Sequence, residues 1–248
     1  MKEDYIFYLS PGKGFIFMEK IEISRLVITL LFLLGAIFMF IKSFFKKKDM
    51  FNTVFMTRTA IFSCIATILY IVPYLKFPIP FFPGFLELHF DEVPALIGGF
   101  AYGPLCGAFI IIIKTIIKLP FSSTLCVGEL ADLIYGLVLV IPSALIYKRK
   151  RNIKGALIGL LVSCLIQVAV SSFLTTFVML DFYMNVMGLS EKVILSMCQA
   201  VNPNVKSLDF NFLLWVAMPF NLFKDIVLFA LTILLYKRTR KIIDKIKA

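Results

Sequence analysis

Long oily runs alternate with short basic clusters along this chain, and the runs predict the elements. The first charge-free run, "LVITLLFLLGAIFMFI" at 26–41, is shorter than the about 20 residues that cross a bilayer, so it must recruit its flanks. "KSFFKKKD" follows, without a small-residue cleavage site. The pattern predicts a retained transmembrane helix with a basic stop rather than a signal peptide. Further helices are expected at about 57–75, 104–119, 127–147, 153–180 and 210–236, with a short one at 92–100 as a partial span. Another short helix is expected near 190–200, inside the segment 181–209.

One stretch breaks the pattern. In "KFPIPFFPGFLELHFDEVP", Pro78, Pro80 and Pro83 forbid a regular helix over 76–84. Phe77, Phe81, Phe82, Phe85 and Phe90 nevertheless make it too apolar for a solvated loop. Irregular backbone of this kind is tolerated at a membrane where protein or a cavity covers it. The stretch is therefore expected to fold over the end of the bundle as a lid. The class that emerges is all-α, an integral membrane helical bundle.

Composition supports this class. Hydrophobic residues make up 60% and charged residues 17%, against roughly 45–50% and about 25% in soluble domains. The net charge of +11 sits in clusters that flank oily runs, which signals topology and argues against a nucleic-acid partner. Residues 42–58 hold five basic residues and one acid, 148–154 five and none, and 237–247 six and one. With all three clusters cytoplasmic, the expected crossings count correctly. The amino terminus, the lid and 181–209 then lie outside, and the carboxyl terminus inside. The chain divides into an extension at 1–56 with its own transmembrane helix, a membrane domain at 57–240 and a basic tail at 241–248.

The candidate chemistry lies in the oily runs. "PFNLFKDIVLF" places Lys224 and Asp225 inside the last span, where charges usually face the bundle interior or a cavity. Asn221 and Lys224 share a helical face, whereas Lys224 and Asp225 do not. One of the pair can thus meet a ligand while the other makes a helix contact, with Asp225 compensating Lys224 locally or bonding Lys114. A bundle-holding ion pair is the alternative. Pro219 loosens the helix just before them.

Lys114 needs an acidic partner, Glu129, Asp132 or another, while Lys118 can snorkel to the interface. Glu129 and Asp132 share a face near the start of their helix, where they serve capping and pairing or acid–base chemistry. Gln167, Ser171 and Thr175 recur every four residues, as interhelical glue or as a pocket wall facing a polyol. Gly98, Gly99, Gly103, Gly107 and Ala108 point to close helix approach. The five cysteines lack ligand spacing and the single histidine, His89, argues against a histidine-based zinc site. No Walker motif is present, so the chain is not expected to be an enzyme or to hydrolyse ATP itself.

The detailed residues add a resemblance. "KFPIPFFPGFLELHFDEVPALIGGFAYGPLCG" resembles the signature region of the riboflavin-binding S components of energy-coupling factor transporters. "GELADLIYG", "SSFLTTFVMLDFY" and "PFNLFKDIV" match further on in the same order, and the likeness covers about 58–240. It implies a six-helix core, to which the helix at 26–41 is an addition, and an outer loop over the site. It implies riboflavin as bound substrate with no catalytic cofactor. The implied partners are a coupling transmembrane subunit and two ABC ATPases.

By the same resemblance Asn221 and Lys224 meet the vitamin's polar groups, Phe85, Leu86, Glu87 and Leu88 line the site beside the ring, and the ribityl hydroxyls face the polar stripe with Thr175. This sequence departs from the family at Thr175, where asparagine is frequent, at Thr176, where an aromatic follows it, and at His89, which stands at an acidic position. Glu92 keeps the second acid of that motif. The small-residue pattern that docks the coupling subunit is partial around Ala60, Cys64 and Ala66. The alternatives are an S component for another vitamin or flavin analogue, and a membrane enzyme or structural protein drawing on Glu129, Asp132 and Asp225.

Overall fold

The computed structural model describes residues 52–247. The helix expected at 26–41 lies outside the described residues. Among the described residues the fold is an all-α bundle of seven helices with a two-residue hairpin. Helix α1 (Thr53–Ile71) starts where the Asn52 side chain accepts a hydrogen bond from the Phe55 amide at 2.8 Å. It ends at Val72, which Pro73 holds extended at φ −71, ψ 116. The helix therefore lies four residues earlier than expected, because its asparagine cap and the proline both act at its boundaries. Pro73–Leu75 form a single 3-10 turn beyond it.

The lid follows. Its strands β1 (Phe77–Pro78) and β2 (Glu87–Leu88) pair antiparallel, with Phe77 opposite Leu88. This pairing was not anticipated. The prolines that exclude a helix are compatible with the free edge of so short a ladder.

Helix α2 (Glu92–Tyr102) is short but central. Nine of its eleven residues are buried, and it packs against α1, α3 (Pro104–Lys118), α4 (Val127–Arg149) and α7 (residues 210–247). Gly103 at φ 104 turns the chain between α2 and α3, a conformation that favours glycine. Gly107 is needed for the approach of these helices, since a Cβ there would stand 2.5 Å from Val140 Cγ1 and 2.9 Å from the Ala95 carbonyl. Leu96, Ile110, Ile111, Leu139, Val140 and Leu228 fill the main core. Phe100, Tyr147 and Tyr236 close the end bearing Lys148–Arg151, with the Tyr147 and Tyr236 hydroxyls bonded to each other.

Helix α5 (Ile153–Asn185) runs further than expected, and α6 (Glu191–Val201) follows with Ser190 as its cap. Both α5 and α7 contain a π turn, at Thr175–Met179 and Leu213–Ala217. The second precedes Pro219, whose ring would meet the carbonyl four residues back in a regular helix; the wider turn removes that clash. Among the described residues five helical stretches are long and apolar enough to cross a membrane, namely α1, Pro104–Phe121, α4, α5 and Phe210–Tyr236.

Candidate ligand-binding site

A cavity of about 380 Å³ opens beneath the lid, between α4, α5, α6 and α7. Phe85 and Leu86 of the lid, Met179 of α5, Ile194 and Met197 of α6 and Phe220 of α7 give it apolar walls. Polar groups converge from α4 (Glu129, Asp132, Tyr135) and from α7 (Asn221, Lys224). Of the seven residues expected at the site, Phe85, Leu86, Glu87, Thr175, Asn221 and Lys224 line this cavity. Leu88 does not. Side chains alternate along a strand, so Leu88 turns into the protein and is 6% exposed while Glu87 points outward.

The lid is fastened by packing and charge. Phe82 meets Phe220 edge-on, and Phe85 meets Tyr183 edge-on and stacks on Phe212. Lys76 pairs with Glu87 at 2.8 Å. On α7, Asn221 Nδ2 donates to the Ala217 carbonyl at 2.8 Å and to Ser172 Oγ at 3.3 Å. Lys224 Nζ donates to Glu92 Oε1 at 2.9 Å. The expectation that Asn221 and Lys224 share a face is met, and Asp225 points elsewhere.

Lys114 pairs with Asp91 rather than with Glu129, Asp132 or Asp225. His89 Nδ1 lies 2.7 Å from Asp91 Oδ1. Asp91 and Glu92 are thus the acids that balance the two buried lysines. The sequence shows two acids at the start of α2 and two lysines in distant helices, but which acid meets which lysine is set by packing. Burial and Lys224 oppose a charge on His89, but Asp91 and Glu92 outweigh them and raise its pKa to about 9. Burial and Glu92 would raise the Asp91 carboxyl; Lys114 and His89 prevail and hold it below its ordinary range. His89, Asp91 and Glu92 offer ligand atoms within 4.8 Å of one another. The Lys114 and Lys224 ammonium groups already occupy their carboxylates, so a metal cation is disfavoured there.

The polar stripe on α5 divides. Thr175 lines the cavity and pairs with the Tyr135 hydroxyl at 3.2 Å. Gln167 and Ser171 are buried away from it, and Gln167 Oε1 and Ser171 Oγ have no hydrogen-bond partner. The wall on α4 is instead the more polar one. Glu129 Oε2 accepts from Ser122 Oγ at 2.6 Å and Thr124 Oγ1 at 3.0 Å, and Asp132 Oδ2 accepts from the Tyr70 hydroxyl at 2.6 Å.

The site combines an apolar lid, a buried cation and carboxylates under one roof, which suits an organic ligand with both a flat apolar part and polar ends. The family model for the ECF transporter, substrate-specific component, matches residues 54–236. The chain belongs to this family. As an S component it is a multi-pass membrane subunit of a transporter. It is 30% identical over 189 residues to "Riboflavin transporter RibU" of Staphylococcus aureus (strain TCH60), covering 76% of this chain and 93% of that relative. It is 28% identical over 129 residues to "Riboflavin transporter FmnP" of Bacillus subtilis (strain 168), covering 51% and 68%. A solved structure described as "Structure and mechanism of the S component of a bacterial ECF transporter" aligns with a TM-score of 0.58 at 29% identity. That alignment covers 76% of this chain and 96% of that one.

Proposed function

We propose that this S component captures riboflavin from outside the cell and delivers it inward with a coupling transmembrane subunit and two ABC ATPases. Residues 57–240 form the substrate-binding domain, 1–56 an extension and 241–248 a basic tail. The basic clusters support a lid outside and a carboxyl terminus inside. The observation that carries the reading is the lidded cavity with Asn221 and Lys224 on one wall. The names of both curated relatives support the vitamin. The isoalloxazine ring packs against the aromatic lid, with Phe85, Leu86 and Glu87 beside it, and Lys224 donates to an oxygen at its polar edge. Thr175 replaces a longer amide, so this contact is shorter in reach.

Protein purified gently in detergent is expected to carry a yellow flavin and, once stripped, to quench riboflavin fluorescence on titration. Lys224→Ala is expected to weaken binding about tenfold to a hundredfold, the range for a lost charged hydrogen bond. Because that change leaves Glu92 unpaired, the double variant Lys224→Met/Glu92→Gln is measured beside it. Unchanged affinity in both would remove Lys224 from the site. A second reading, another vitamin or a flavin analogue, is motivated by Thr175 and His89. Competition of thiamine and biotin against riboflavin separates the two.

A further inference from the structure

Resting on the flavin reading, we infer that Glu129 and Asp132 of α4 are the residues that recognise the ligand's polyol chain. The α5 stripe is the wall the sequence offers for this task, but only Thr175 of it reaches the cavity. Glu129 and Asp132 both reach it, one helical step apart.

Of the acids that line the cavity, these two are the ones that no cation among the described residues pairs with. Glu87 is paired with Lys76, Asp91 with Lys114 and Glu92 with Lys224. Glu129 and Asp132 have no ion-pair partner among the described residues. Glu129 stands at the third residue of α4, where a carboxylate ordinarily turns back to cap the helix. Here the Cys126 amide that it would cap donates to Ser122 Oγ at 2.8 Å, and the Gly128 amide donates to Thr124 Oγ1 at 3.1 Å. The preceding turn does the capping, and it does so through left-handed backbone at Leu125 (φ 50) and Cys126 (φ 71), a conformation that costs energy in residues with side chains.

Each carboxylate is therefore held in place by one oxygen and presents the other. Hydroxyls from Ser122 and Thr124 fix Glu129 Oε2, and the Tyr70 hydroxyl fixes Asp132 Oδ2. Glu129 Oε1 and Asp132 Oδ1 have no protein donor among the described residues. Glu129 is 5% exposed and lines the cavity, so the cavity is where a donor can reach it. Two fixed, charged acceptors spaced along one face match a chain of hydroxyl donors, and bonds to a charged acceptor are about twice as strong as neutral ones. The opposite wall supplies donors from Asn221 and Lys224. The cavity is thus polarised across its width, donors for a ring edge on α7 and acceptors for a polyol on α4.

The test compares riboflavin with lumiflavin, which keeps the ring but carries a methyl group in place of the polyol. Both are titrated into the full chain in detergent. Wild type is expected to bind riboflavin about tenfold or more tighter. Glu129→Gln and Asp132→Asn are each expected to shrink the riboflavin-to-lumiflavin ratio about threefold to tenfold, and the double variant to bring it close to unity. Gln167→Ala and Ser171→Ala leave the ratio unchanged. A ratio near one in wild type, or one that survives in both single variants and the double, overturns the inference. The wild-type comparison stands even if the double variant does not fold. Binding of neither flavin by wild type would instead sink the riboflavin reading on which the inference rests.

Discussion

Asp225 follows Lys224 in the chain yet lives in different surroundings. It is fully buried, and its carboxylate meets no donor stronger than the Cys164 thiol of α5. Lys224 meanwhile reaches across to Glu92. The two neighbours illustrate opposite outcomes for charge in a bundle. A buried ion with a partner holds its place, whereas a buried carboxylate without donors costs several kcal/mol when ionised. Asp225→Asn is therefore expected to raise the melting temperature of detergent-solubilised protein by a few degrees, read by a thermal fluorescence scan. A lower melting point would mean that the carboxylate supports the fold. Lys224 and Asn221 were legible because a charge and an amide stood out in an oily run. That Lys114 would choose Asp91 was not, since partners far apart in the chain are set by packing.

At the scale of the element, α7 carries the site because it is irregular. Pro219 lacks an amide hydrogen and its ring excludes the carbonyl four residues back, so Leu213–Ala217 widen into a π turn. The turn resets the rotation of everything beyond it, including Asn221 and Lys224. Pro219→Ala permits a regular helix. The expected result is a riboflavin affinity lower by a few-fold with an equal or higher melting temperature, since alanine is the better helix former. Retained affinity would show that the turn does not aim the two side chains. The stop at Gly103 is legible in the sequence, whereas the cap at Asn52 and the stop at Pro73 act four residues before the bounds that hydropathy sets for α1. The π turns and the two-residue hairpin were not legible, because neither has a periodicity of its own.

Across the whole molecule, one buried charge network stitches three parts together. Asp91 and Glu92, at the junction of lid and α2, bind Lys114 of α3 and Lys224 of α7, with His89 beside them. His89 has its pKa raised from 6.5 to about 9 in the fold. Its contribution to stability is fully present below about pH 6.5 and is lost as the pH rises through about 9. Melting temperature is expected to fall between pH 6.5 and 10, and His89→Gln to flatten that fall; a parallel decline in both proteins would remove His89 as the cause. The bundle class and the lid were readable from hydropathy and proline spacing. The network was not, for it joins residues as far apart as Glu92 and Lys224.

The brevity of α2 has a consequence for depth. Eleven residues advance about 16 Å at 1.5 Å each, roughly half of a ~30 Å hydrocarbon slab. Because its flanks are sheathed by neighbouring helices, α2 is excused from matching the lipid thickness that governs the others. Its first turn, through Glu92, holds the Lys224 ammonium at the depth where that side chain meets the cavity. Lengthening or shortening this one hidden post would shift the Glu92 carboxylate, and with it the ammonium it holds, while leaving the lipid-facing rim alone.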